Sequence, residues 1–145
     1  MSHPSDQAAS VLQVQRDERG VYTLTLNDPT RFNALGEAML AALQQALDTV
    51  AADEHARAVV LAAQGRAFCA GHNLKEMAQH PELAYYQQLF ARCSRVMLAI
   101  HKLPVPVIAR VQGMATAAGC QLVAQCDLAV AEEGASFATS GIHYG

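Results

Sequence analysis

The chain has 145 residues, of which 52% are hydrophobic and 16% charged, and its formal net charge is -3. This is enough apolar material for one domain with a real core, and it excludes a disordered chain. The negative balance and the lack of any basic cluster exclude a general nucleic-acid binder, which needs cations against phosphates. No apolar run approaches the ~20 residues of a membrane-spanning helix, so neither nucleic acid nor membrane is expected as a partner.

Residues 1–10 are polar and small, lack the apolar stretch of a secretory signal, and read as a flexible lead-in to a core domain over 11–145. Val11 to Arg16 and Val21 to Leu26 read as strands joined by the turn Asp17-Glu18-Arg19-Gly20. In the second, Tyr22, Leu24 and Leu26 alternate with Val21, Thr23 and Thr25, the period of a half-buried strand, so an opening hairpin is expected. From Glu37 to Ala52 the residues Leu40, Leu43, Leu47 and Val50 fall at helical spacing. Ala58 to Ala62 is a short, wholly apolar run of the kind covered on both faces in a parallel sheet.

A second long helix is expected from Pro81 to Leu103, with Tyr86, Leu89, Phe90, Cys93, Val96, Met97 and Ile100 along one side. Pro81 suits its first turn, and Pro104 and Pro106 end it, because proline cannot continue the hydrogen-bond ladder. A strand at Val107 to Val111, a helix from Ala118 to Cys126 and a strand at Leu128 to Ala131 follow. This alternation predicts an α/β fold with mainly parallel strands. Cys69, Cys93, Cys120 and Cys126 form no close pair and read as idle thiols of a reducing compartment, without the spacing of a metal site.

Two loops carry the chemistry. Gly65 to Leu74 follows the apolar strand, and Gln112 to Cys120 lies between a strand and a helix. Both put small residues where a strand ends, which lets a ligand approach the backbone and leaves amides free to donate. In the second, those amides also open a helix, where partial positive charge favours an anion. The two loops read either as a pocket at the carboxyl edge of the sheet or as plain tight turns. Neither has a phosphate-binding pattern, so a nucleotide site is not expected.

Asn33-Ala34-Leu35, the stretch Ala67 to Leu74, and Val111-Gln112-Gly113 through Cys126-Asp127 stand in the order and setting of the signature segments of one family. The chain resembles the enoyl-CoA hydratase/isomerase (crotonase) superfamily from Val11 to its end. The resemblance implies a crotonase-type ββα spiral, with mainly parallel sheets flanked by helices and the carboxy-terminal helical part missing. It implies an acyl-CoA thioester as substrate, with no separate cofactor, since coenzyme A is part of the substrate. The nominal reaction is hydration of a 2-enoyl-CoA in fatty-acid metabolism.

The backbone amides of His72 and Ala118 would form the oxyanion hole, and Ala70, Asn73 and Leu74 would line the path of CoA. Arg31 is a weaker candidate for its phosphates; the plainer reading is a solvated arginine. The two glutamates of the usual hydratase match Gln121 and Gly141 here, and neither is a carboxylate. Glutamine has no titrating group near neutrality and cannot move a proton. His72 and His143 could do so, although the plainer reading of each is a structural or surface histidine, and Glu76 reads as a solvated helix residue. The rival to an enzyme is therefore a non-catalytic acyl-CoA binder or regulatory paralogue. The resemblance further implies a homotrimer or hexamer at full length, and a chain this short reads as a fragment with apolar faces exposed. The absence of an Arg-rich amphipathic leader makes cytoplasm the expected location.

Overall fold

The computed structural model of the chain describes residues 10–143. All but Ser10 of the expected lead-in lies outside these residues.

Eight strands and four helices follow in order: β1 Leu12–Arg16, β2 Val21–Leu26, α1 Glu37–Ala52, β3 Ala58–Ala63, β4 Ala67–Cys69, α2 Leu74–Gln79, α3 Leu83–Lys102, β5 Val107–Val111, β6 Met114–Thr116, α4 Ala118–Gln125, β7 Leu128–Ala131 and β8 Ser136–Ala138. They build two sheets, ordered β1-β2-β3-β5-β7 and β4-β6-β8. The hairpin β1–β2 is antiparallel and every other pairing is parallel. From β3 onwards each strand–strand–helix turn gives its first strand to the large sheet and its second to the small one. The expected strand–helix alternation is therefore present, with the three-residue strands of the small sheet added.

The alternation in β2 is borne out: Tyr22, Leu24 and Leu26 are buried while Val21, Thr23 and Thr25 are half-buried. Helix α1 buries Met39, Leu40, Leu43, Ala46, Leu47 and Val50. Helix α3 faces it with Leu89, Cys93, Val96, Met97 and Ile100. Burying such side chains supplies the main drive for this layer, about 1.5–3 kcal/mol for each large aliphatic residue.

Three expectations need correction. Phe90 is 46% exposed and is not part of the core face of α3. Pro81 precedes that helix rather than opening it, because Glu82 takes the N-cap position. In β3, Val59, Leu61 and Ala62 are buried but Ala58, Val60 and Ala63 only half so. All four residues of β7 are exposed, including Leu128 and Val130, because β7 pairs only with β5 and ends the large sheet.

Candidate functional site

Three chain segments meet where β4 and β6 end. The first is the turn after β2, fixed by Asn33, the one buried polar residue in the described core. Its Nδ2 donates to the carbonyls of Gln64 (2.8 Å) and Ala67 (3.0 Å), and its Oδ1 accepts from the Asp28 amide (2.8 Å). Phe32 and Asn33 both adopt left-handed backbone there. Those bonds offset a conformation that non-glycine residues ordinarily avoid. The turn then grips the second segment: Ala70 N donates to Phe32 O (3.0 Å) and Leu35 N donates to Gly71 O (2.7 Å).

In that second segment Gly71 has φ 92°, a conformation that favours glycine. A methyl group on Gly71 would stand 3.0 Å from Ala117 Cβ and 3.2 Å from Ala118 N. The turn carrying His72 thus lies directly against the start of α4, the third segment. Ala117 there has φ 53° and ψ -125° and donates its amide to Ala138 O at 2.9 Å. Gly119 lies so close to the Cys69 backbone that a side chain would overlap the Cys69 carbonyl.

Ala118 is the first residue of α4, so its amide lies outside the helical ladder. Neither it nor the His72 amide donates to a backbone carbonyl among the described residues. The two amides named from the sequence thus have no backbone acceptor among the described residues, and that of Ala118 lies against the turn that carries His72. Gln121 is exposed on α4, one turn further on. Gly141 lies in a short 3-10 turn, Ser140–His143, that follows β8. A hydrogen bond between the Thr116 and Ser140 hydroxyls (2.8 Å) holds that turn beside the third segment. A Cβ at Gly141 would meet nothing within 4 Å. His143 ends the same turn and is exposed.

On the other flank a cleft of about 800 Å3 runs along Arg31, Phe32, Ala70, His72, Asn73, Leu74, Lys75 and Glu76. It joins the residues expected to receive CoA; Ala118, Gln121 and Gly141 are not part of its wall. Arg31 is held loosely by Asp28 (3.3 Å) with a side chain 67% exposed. Lys75 is a second cation at this wall that the sequence reading missed; its place on α2, a helix too short to show a period, left no signal. A separate depression of about 610 Å3 between α1 and α3 contains none of the expected site residues.

Glu76 is not the solvated residue expected. Its Oε1 accepts from the Glu37 amide at the start of α1 (2.9 Å) and from Tyr85 OH (3.2 Å). Its Oε2 accepts from Asn73 Nδ2 (3.3 Å), while Asn73 Oδ1 caps α2 at the Glu76 amide (3.2 Å). One carboxylate thus fastens the floor of the cleft to two helices. Tyr86, read from the sequence on the apolar side of α3, also bonds: its OH donates to Met77 O at 3.2 Å.

The His72 ring meets Phe90 edge-on, with centroids 5.2 Å apart. Burial lowers its pKa, opposed in part by the Leu35 backbone that faces it. Burial also pushes the Cys69 and Cys126 thiols up to about 12, which keeps both as unreactive neutral thiols. No group of three or more His, Cys, Asp or Glu among the described residues is arranged to hold a metal ion. No helix among them is long and apolar enough to cross a membrane.

Comparison with known proteins supplies the relatives. The enoyl-CoA hydratase domain-containing protein 3 of Xenopus laevis, named as mitochondrial, is 43% identical over 134 residues, covering 92% of this chain and 46% of its own. The human protein of that name, likewise mitochondrial, is 44% identical over 126 residues, covering 87% of this chain and 42% of its own. The crystal structure of a Mycobacterium smegmatis enoyl-CoA hydratase superposes with a TM-score of 0.91 at 68% identity, over 93% of this chain and 52% of that one. Within the family, the stretch Ala115 to Leu122 most resembles the domain-containing protein 3 type, in agreement with these matches. The chain spans about half the length of the relatives it matches. The expected cytoplasmic location is overturned, because the curated relatives are named as mitochondrial. That expectation rested on the composition of the first residues, which lie outside the described structure. The enoyl-CoA hydratase/isomerase profile matches residues 16–145, and with this coverage and this fold the chain belongs to that family.

Proposed function

We propose that the chain forms the oxyanion half of an acyl-CoA-processing site, with the amides of His72 and Ala118 donating to the thioester carbonyl. The observation that carries this reading is the contact of Gly71 with Ala117 and Ala118, which lays the Ala118 amide against the turn that carries His72. An enolate forming on that oxygen would meet both donors and the positive end of α4. A donor of this kind supplies about 3 kcal/mol to the transition state. Ala70, Asn73 and Leu74 would take the pantetheine and adenine portions along the cleft, and Arg31 and Lys75 suit its phosphates. The complete protein would assemble as a homotrimer or hexamer, as the resemblance implies.

Hydration of a 2-enoyl-CoA needs proton transfer at water and at carbon, and Gln121 and Gly141 offer no titrating group. Losing each such group forfeits ~10²–10⁴ in rate. That absence favours a second reading, a non-catalytic acyl-CoA binder with the same hole and cleft. The two readings separate in one assay, the loss of conjugated enoyl-thioester absorbance when the protein meets crotonyl-CoA. Turnover that Ala118→Pro abolishes supports the enzyme. Binding without turnover supports the binder, and neither binding nor turnover overturns both.

A further inference from the structure

Among the described residues, three side-chain atoms are sealed from water with no hydrogen-bond partner: Gln44 Oε1, Gln112 Oε1 and His72 Nδ1. The two glutamines still use their amide nitrogens, Gln44 toward Asp48 (2.9 Å) and Gln112 toward the carbonyls of Gly65 (2.8 Å) and Ala67 (3.0 Å). The His72 ring makes no hydrogen bond that meets ordinary distance and angle limits. This contrasts with Asn33 in the neighbouring segment, all of whose bonds are short. A buried polar atom left unpaired is costly, so such an atom in a cleft wall calls for a partner.

We propose that the His72 imidazole is a ligand-binding group of the cleft, accepting through Nδ1 a hydrogen bond from the pantetheine amide nearest the thioester of an acyl-CoA. The inference rests on the acyl-CoA reading above and names a second contact from the same residue. Geometry selects the ligand atom. The His72 amide is the proposed thioester donor, so its ring, one side-chain length away, meets the part of the ligand just beyond the sulfur. The only hydrogen-bond donor there is the cysteamine amide N–H. An uncharged imidazole has one nitrogen lone pair to accept it. No carboxylate bonds the ring, and burial, opposed by the Leu35 backbone, lowers its pKa, which favours the uncharged form. Phe90, 46% exposed on α3, covers the ring edge-on. The contact requires Nδ1, sealed from water as the ring stands, to turn about Cβ–Cγ past Phe90 into the cleft.

The test compares two probes on the protein and on His72→Phe and His72→Ala, all of which keep the amide of residue 72. Crotonyl N-acetylcysteamine thioester retains the amide; crotonyl butyl thioester lacks it. Both variants are expected to lose roughly 10-fold more affinity for the amide probe than for the butyl thioester. His72→Phe retains an aromatic ring against Phe90, so a loss caused only by packing would spare it. Equal losses on both probes, or no loss on the amide probe, overturn the inference while leaving the backbone hole standing. A protein that binds neither these thioesters nor crotonyl-CoA overturns the acyl-CoA reading and the inference with it.

Discussion

Ala117 carries the site's clearest local strain. Its φ of 53° with ψ of -125° is a conformation that an L side chain rarely adopts. Such strain costs on the order of 1–3 kcal/mol and persists where neighbours over-determine the backbone. Here the Ala138 carbonyl and the Gly71 contact do so. Replacing Ala117 by glycine should therefore raise stability by about 1 kcal/mol after allowing for the freer unfolded chain. Thermal unfolding reads this directly, and an unchanged or lower Tm would mean the backbone there is not strained. At this scale the sequence was legible where a motif names a backbone atom, as at His72 and Ala118. It was silent on Glu76, because its acceptor role depends on the Glu37 amide 39 residues away and on Tyr85 across α2–α3.

Elements join through a few polar clasps, and one of them has a pH signature. Asp53, at the C-cap of α1, accepts from Tyr22 OH (2.8 Å), Arg16 Nε (2.9 Å) and the His55 amide (2.9 Å). It ties the opening hairpin to the end of the helix. Hydrogen bonding, first from Tyr22, holds its carboxyl at about 2 against an ordinary 3.8. A depressed folded pKa means the stabilisation is fully present above the ordinary value and lost as pH falls through about 2. Asp53→Asn should flatten the acid limb of the stability curve between those two values, measured by denaturant unfolding at a series of pH values. An unchanged limb would assign acid sensitivity to other carboxylates. The longer elements were legible because α1, α3 and β2 each span several periods of an apolar pattern. β4, β6 and β8 have three residues each, too few for any period, so the small sheet appears only in three dimensions.

At the scale of the molecule, one end of both sheets is bare. Leu128 is 63% exposed, Val130 65% and Ile142 86%, and Phe137 on β8, the last strand of the small sheet, is 49% exposed. An unpaired edge with apolar side chains invites association. The isolated chain is expected to self-associate with rising concentration, and Leu128→Lys with Val130→Lys should suppress this. Light scattering across a concentration series decides the matter, and equal association of variant and parent would place the sticky surface elsewhere. The sequence reading expected apolar faces to lie exposed, but it did not say that Leu128 and Val130 would carry them. Leu128 to Ala131 reads as a core strand whether or not anything covers it.

The pairing of β4 with β6 has one more consequence. Cys69 stands opposite Ala115 across that ladder. His72 and Ala118 each lie three residues beyond those partners, so the two proposed donors leave the same rung by equal paths. The rung itself sets a caliper, the distance between neighbouring strands of about 4.8 Å, and each segment turns once past its strand end before it reaches its amide. Gln121 and Gly141 hang from α4 and from the turn after β8, outside that caliper. On the proposed reading, the proton-transfer groups of such a scaffold can be exchanged or lost without altering the two segments that carry the amides.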